Sequence, residues 1–174
     1  MNKNLKIENN IYKNREEITI LTRVFKEERK MEEVNQSLNQ FLCDLNVFFR
    51  KLQNYHWNIQ GESFFRIHEK LEEYYDAVAR EIDQIAEHIL INGAQPLGTM
   101  KDYLENTKIQ EAENKKVDRN TVYKAVLADY GTLYQDVKDI KETADTAGDY
   151  ATSSLMDEYI LNYGKILWML NQSK

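Results

Sequence analysis

A single cysteine, Cys43, in 174 residues leaves the chain no internal disulfide. One proline, Pro96, and six glycines leave few places to break a helix, which disfavours a sandwich or barrel. No apolar stretch approaches membrane-spanning length, and the start of the chain holds no uninterrupted apolar core of the secretory kind. The expectation is therefore a helical protein of the cytoplasm with no membrane partner. Cys43 lies beside Leu42 on an apolar stripe and reads as a buried packing thiol rather than a nucleophile. Histidine is also scarce, with three copies, so any cluster of histidines uses most of the supply.

What is plentiful is charge, at 30% of residues, and it is unevenly placed. Residues 1–30 carry eight Lys/Arg against five Glu, whereas residues 31–174 carry fifteen against twenty-four Asp/Glu, and the whole chain is at −6. An acidic body attracts cations and repels nucleic acid, while a short basic segment can touch phosphate.

The apolar positions recur at helical steps. Leu38, Phe41, Leu45, Phe48, Leu52, Tyr55 and Ile59 mark a long amphipathic helix from about residue 31 to 59, ended by Gly61. Ser63 is expected to cap a second helix, carrying Phe64, Ile67, Leu71, Tyr75, Val78, Ile82, Ile85 and Ile89 to stop signals at Gly93 and Pro96. Thr99 is placed to cap a short helix inside a long crossover. Beyond Asp118, Val122 to Ala144 give a third long helix that Gly148 breaks, and Leu155, Tyr159, Tyr163, Ile166 and Leu170 give a fourth. Two long helices, a long connection and two more describe an all-α, ferritin-like four-helix bundle over residues 31–174. Residues 1–30 form a tail, mobile over residues 1–14 and adding a turn or two of helix over residues 15–30.

On the second helix, Glu72, Asp83 and Glu87 lie about 40°, 60° and 100° round from His68, so the four share a face. Their heights differ: the His68/Glu72 pair and the Asp83/Glu87 pair are roughly 22 Å apart along the axis, too far to share one ion within one chain. A second copy brings them together. If two such helices cross antiparallel about a two-fold axis near Ala77 and Val78, position i meets position 155 − i, which sets His68 against Glu87 and Glu72 against Asp83. Small Ala77 and Ala79 would allow close approach, and His56 on the first helix is placed to complete the histidine-rich half. Imidazole and carboxylate without thiolate suit iron, manganese or zinc, and several carboxylates with open coordination positions favour iron that cycles between ferrous and ferric. The paired Glu-x-x-His motifs of di-iron bundles are missing, since Gln53, Phe65 and Ile85 stand three residues before His56, His68 and His88. His88 points about 100° from Glu87 and reads as structural.

These residues resemble the Dps family, the mini-ferritins named as DNA-binding proteins from starved cells. The likeness rests on His56-Trp57-Asn58, Phe64-Phe65-Arg66-Ile67-His68-Glu69, Asp83 with Glu87, Gly93-Ala94-Gln95-Pro96 and the closing Ile166-Leu167-Trp168-Met169-Leu170. The resemblance implies a hollow twelve-subunit shell that oxidises Fe²⁺, preferentially with hydrogen peroxide, between two-fold-related subunits, and stores the ferric mineral inside. By position, His56, His68 and Glu72 would be ligands from one subunit and Asp83 and Glu87 from its partner. Trp57 would be an aromatic that gives up an electron and limits radical escape. Zinc or manganese would compete for the site. Many relatives bind DNA through a Lys-rich tail, which here is diluted by Glu8, Glu16 and Glu17; a DNA-compacting structural protein is the alternative function. The family often has an acid where this chain has Ser154, near the iron access pore, and Asp145, Asp149 and Asp157 are the nearby substitutes.

Overall fold

The computed structural model describes residues 21–172 in full and, before them, the course of the first helix from Lys3; the expected mobile tail over residues 1–14 lies outside the fully described residues. Five helices follow in order: α1 Lys3–Asn58, α2 Phe64–Ile91, α3 Met100–Asn106, α4 Arg119–Ala147 and α5 Tyr150–Gln172. The four long ones form the expected bundle, with α2 against α1, α5 against α4, α1 against α4, and α3 laid on α1 within the crossover. No described helix is long and apolar enough to cross a membrane.

The core follows the apolar stripes. Leu38, Phe41, Leu45, Phe48 and Leu52 of α1 meet Leu71, Val78, Ile85 and Ile89 of α2, Tyr130, Leu133 and Val137 of α4, and Tyr159 and Tyr163 of α5. Positions 71, 78 and 85 fall one heptad apart, as aligned bundle helices require. Cys43 is fully buried, as its stripe implied, and burial with Asp44 and Asp102 nearby pushes its thiol up to about 11. The start expected at residue 31 marks where burial begins. Every described residue of α1 before Lys30 is exposed, so the helix continues there without an apolar face in the core.

The ends of the helices have local causes. α2 closes as a Schellman motif: the Gly93 N–H donates to Leu90 O at 2.9 Å and the Ala94 N–H to Ile89 O at 3.0 Å, with Gly93 at φ 78°. Thr99 and Asp102 exchange a capping box that starts α3, and the Asp118 carboxylate accepts from the Thr121 N–H to start α4. Ser63 departs from expectation. It stands at the N-cap position, but its φ of 63° is left-handed and its side chain makes no cap hydrogen bond. A capping side chain reaches back from an extended backbone, which Ser63 lacks; its carbonyl instead accepts from the Ile67 N–H at 3.1 Å.

Buried charge pins the crossover. Asp44 on α1 accepts from the Thr107 hydroxyl at 2.8 Å and the Lys108 N–H at 2.5 Å, and Lys108 reaches Asp136 of α4 at 2.6 Å. Deeper in the bundle, Lys51 of α1 pairs with Asp129 of α4 at 2.8 Å. Beyond them, the Val117 N–H donates to Asn58 O and the Gln60 N–H to Val117 O, tying the crossover to the α1–α2 turn.

Candidate functional site

The tie at Val117 fastens the crossover to the end of α1, beside the start of α2, where His56 and His68 meet. Their rings stack with centroids 3.6 Å apart and 20° between planes. Each ring's Nδ1 lies 2.9 Å from the other residue's backbone carbonyl, so the pair is locked reciprocally. A carbonyl only accepts, so each Nδ1 carries the proton, and in the neutral imidazole Nε2 keeps the lone pair that a metal needs. Phe64 stacks on the outer face of His68 at 5.1 Å, and Tyr75 stands edge-on to His56 at 5.4 Å. His56 is only 8% exposed, and half-buried His68 stands closer to solvent.

Glu72, exposed, lies one turn beyond His68. Burial raises the Tyr75 phenol above its ordinary value, and the nearby Glu72 and Asp76 carboxylates add to the rise. Glu72 thus belongs to the histidine end of α2. Asp83 and Glu87 are exposed at the other end, and Trp57 is exposed next to His56. Among the described residues, no three His, Cys, Asp or Glu of a single chain converge to hold a metal ion.

The outward face of α2 bears on the proposed axis. Val78 is buried in the bundle and Ala77 is half-buried, so of the residues near the axis level it is Asp76 and Ala79 that face outward. The expectation that both alanines line the axis is thus corrected: at 100° per residue Ala77 turns off the face that carries Ala79 and Asp83. The rule i to 155 − i sets Asp76 against Ala79. It also sets Phe65, 80% exposed, against Leu90, 56% exposed. Two of the large exposed apolar side chains on α2 therefore become partners under an axis chosen for the ligands alone. Sequence reasoning had used Phe65 only as part of the Phe64–Glu69 run and in the motif count, and had not used Leu90; neither was assigned to an interface, and their apolar character at surface positions was the available signal.

The carboxylates near the start of α5 are already engaged. Asp149 accepts from the Thr152 N–H at 3.0 Å and from Asn92 at 3.2 Å. Asp145 accepts from the Ser153 hydroxyl at 2.6 Å, Lys141 bridges to Asp157 at 2.9 Å, and Ser154 is exposed. His88 bonds Thr152 through Nε2 at 2.7 Å and serves the α2–α5 contact.

Comparison with known proteins gives a consistent picture. A family profile for the ferritin-like domain matches residues 35–173. The chain is 40% identical over 139 residues to DNA protection during starvation protein 2 of Bacillus anthracis, covering 80% of this chain and 94% of that protein. It is 32% identical over 133 residues to the DNA protection during starvation protein of Helicobacter pylori strain J99, covering 76% and 92%. Among solved structures, the Dps protein of Vibrio cholerae O1, described as a member of a broad superfamily of ferritin-like diiron-carboxylate proteins, superposes with a TM-score of 0.80 at 35% identity, over 83% of this chain and 90% of that one. Antigen TpF1 of Treponema pallidum superposes at 0.81 with 34% identity, over 83% and 93%.

Proposed function

The chain belongs to the Dps family of ferritin-like proteins, and from that premise we propose that it is an iron-oxidising, iron-storing mini-ferritin whose ferroxidase centres form between two-fold-related subunits. The observation that carries this reading is the reciprocal lock of His56 and His68, which leaves two Nε2 lone pairs at one end of α2 while Asp83 and Glu87 stand free at the other. One two-fold axis joins the two ends and at the same time covers Phe65 with Leu90 of the partner subunit.

In this reading His56, His68 and Glu72 hold ferrous iron with Asp83 and Glu87 of the partner subunit. The imidazoles suit Fe²⁺, and the carboxylates suit the harder Fe³⁺, so the mixed set favours oxidation in place. Two Fe²⁺ give one electron each to hydrogen peroxide, whose O–O bond breaks; two protons complete two waters, and two Fe³⁺ leave for the mineral. Pairing the electrons in this way avoids hydroxyl radical. A radical that does form takes an electron from the Trp57 indole and a proton, leaving water and an oxidised ring. The subunits assemble as a homo-oligomer, a twelve-subunit hollow shell that stores ferric mineral, in the cytoplasm, with zinc or manganese as competitors for the same ligands.

The test is ferrous oxidation by peroxide in assembled protein. His56→Ala is expected to slow it on the order of a hundredfold, at the upper end of what disturbing a metal site costs; an unchanged rate would remove His56 from the site. A second reading, DNA compaction, draws on the excess of Lys/Arg in residues 1–30 and on the names of the relatives. It requires duplex DNA to be retained in a gel shift at low salt and released steeply as salt rises; no retention at low salt would dismiss it.

A further inference from the structure

Away from its ligand face, the start of α2 borders a groove of 420 Å³ together with the start of α4 and the end of α5. The floor is apolar, with Leu71, Val122 and Val126 each at most 3% exposed, and the rim carries Arg66, Lys70 and Arg119. None of the described residues that line it is acidic, although residues 31–174 hold twenty-four Asp/Glu against fifteen Lys/Arg. Arg66 is exposed and has no ion-pair partner among the described residues. Lys70, which pairs with Glu73, lies 5.6 Å over the Tyr74 ring on the groove wall. The Tyr123 hydroxyl on the α4 wall is spent on Leu170 O at 2.6 Å, which ties α4 to α5. At 100° per residue, Ile67, Leu71 and Tyr74 stand about 140° round α2 from His68, Glu72, Asp83 and Glu87, so the proposed two-fold pairing does not cover the groove.

We infer that the groove binds a free, single-chain fatty carboxylate, with the alkyl chain on the floor of Leu71, Val122 and Val126 and the head among Arg66, Lys70 and Arg119. Charge complementarity selects the head. Guanidinium and ammonium groups give a carboxylate charge-assisted hydrogen bonds, which a neutral alcohol receives only weakly and a cationic head not at all. The floor selects the tail. Its helical N–H and C=O groups are bonded within their own helices, so a peptide laid there would leave its backbone unsatisfied, whereas an alkyl chain needs no polar partner. The volume falls within the usual range of small-molecule clefts, about 300–1,000 Å³, and toward its lower end, which suits one chain rather than two. No step of this binding involves a metal, so it stands or falls apart from the ferroxidase reading.

Calorimetric titration of the full-length assembled protein with dodecanoate, kept below its micelle concentration, tests the site. Saturation is expected near one dodecanoate per subunit. Decanoate should bind roughly fifteenfold more weakly, because each buried methylene is worth about fourfold. Dodecanol should bind roughly tenfold more weakly for want of the charge, and dodecyltrimethylammonium not at all. Arg66→Glu and Arg119→Glu, which change the rim from two different helices and leave the apolar floor intact, should each weaken dodecanoate roughly tenfold while assembly persists by light scattering. Absence of saturable binding, equal affinity for dodecanoate and dodecanol, or undiminished affinity in both variants would overturn the inference. So would retention on vesicles of anionic two-chain lipid without binding of free dodecanoate, which would assign the cations to a membrane surface instead.

Discussion

At the residue scale, the site depends on which nitrogen of each imidazole is free. His56 and His68 spend their Nδ1 protons on each other's backbone carbonyls, so the two acceptors depend on no other side chain. Orientation of the ligands is therefore built into the junction of α1 and α2, and changes to the ring pocket should act through it. Ser63 sits two turns of chain from His56 in a left-handed conformation that costs a non-glycine residue about 1 kcal/mol, while its hydroxyl forms no cap bond. Ser63→Gly should raise stability by about 0.5 kcal/mol after glycine's own entropy cost, read as a higher urea midpoint with unchanged slope. A lower midpoint would mean that the hydroxyl has a partner in solution.

At the scale of the elements, the helices and their limits were mostly legible because period, caps and breakers agreed. Gly93, Thr99, Asp118 and Gly148 each mark a boundary that the backbone then uses. The start of α1 was not legible, since residues 21–29 bury nothing and periodicity reports burial rather than helix. Nor was the histidine stacking, which arises from the meeting of two helix ends that no spacing within one helix encodes. The buried pair Lys51–Asp129 was equally invisible, because each residue alone looks like a surface charge. Lys51→Met strands a buried carboxylate and should cost about 3–5 kcal/mol, most of it recovered by adding Asp129→Leu; a double variant no better than the single would show that the pair itself carries the stability. The Asp118 cap titrates in a defined sense. Its carboxyl is held below its ordinary value by the Thr121 N–H and hydroxyl, so its contribution is present above the ordinary carboxyl range and lost as pH falls through the lowered value. Asp118→Asn keeps an acceptor without a charge and should flatten the acid limb of the stability profile; an unchanged limb would assign acid sensitivity elsewhere.

At the scale of the whole molecule, the single chain presents half of each proposed centre at either end of α2, and symmetry supplies the rest. The same axis that matches His68 with Glu87 matches Phe65 with Leu90, so the interface and the chemistry stand or fall together. Phe65→Glu should split the assembly into smaller species by size-exclusion light scattering and slow ferrous oxidation in the same samples. Loss of oxidation without loss of assembly would place Phe65 in the chemistry instead. The most direct measurement is anaerobic loading of assembled protein with Fe²⁺ followed by a hydrogen peroxide pulse, tracking ferric absorbance and peroxide consumption for wild type and Asp83→Ala. The intersubunit account predicts fast oxidation at two Fe²⁺ per peroxide in the wild type, lost in a variant that still assembles; slow oxidation, equal in both, would contradict it.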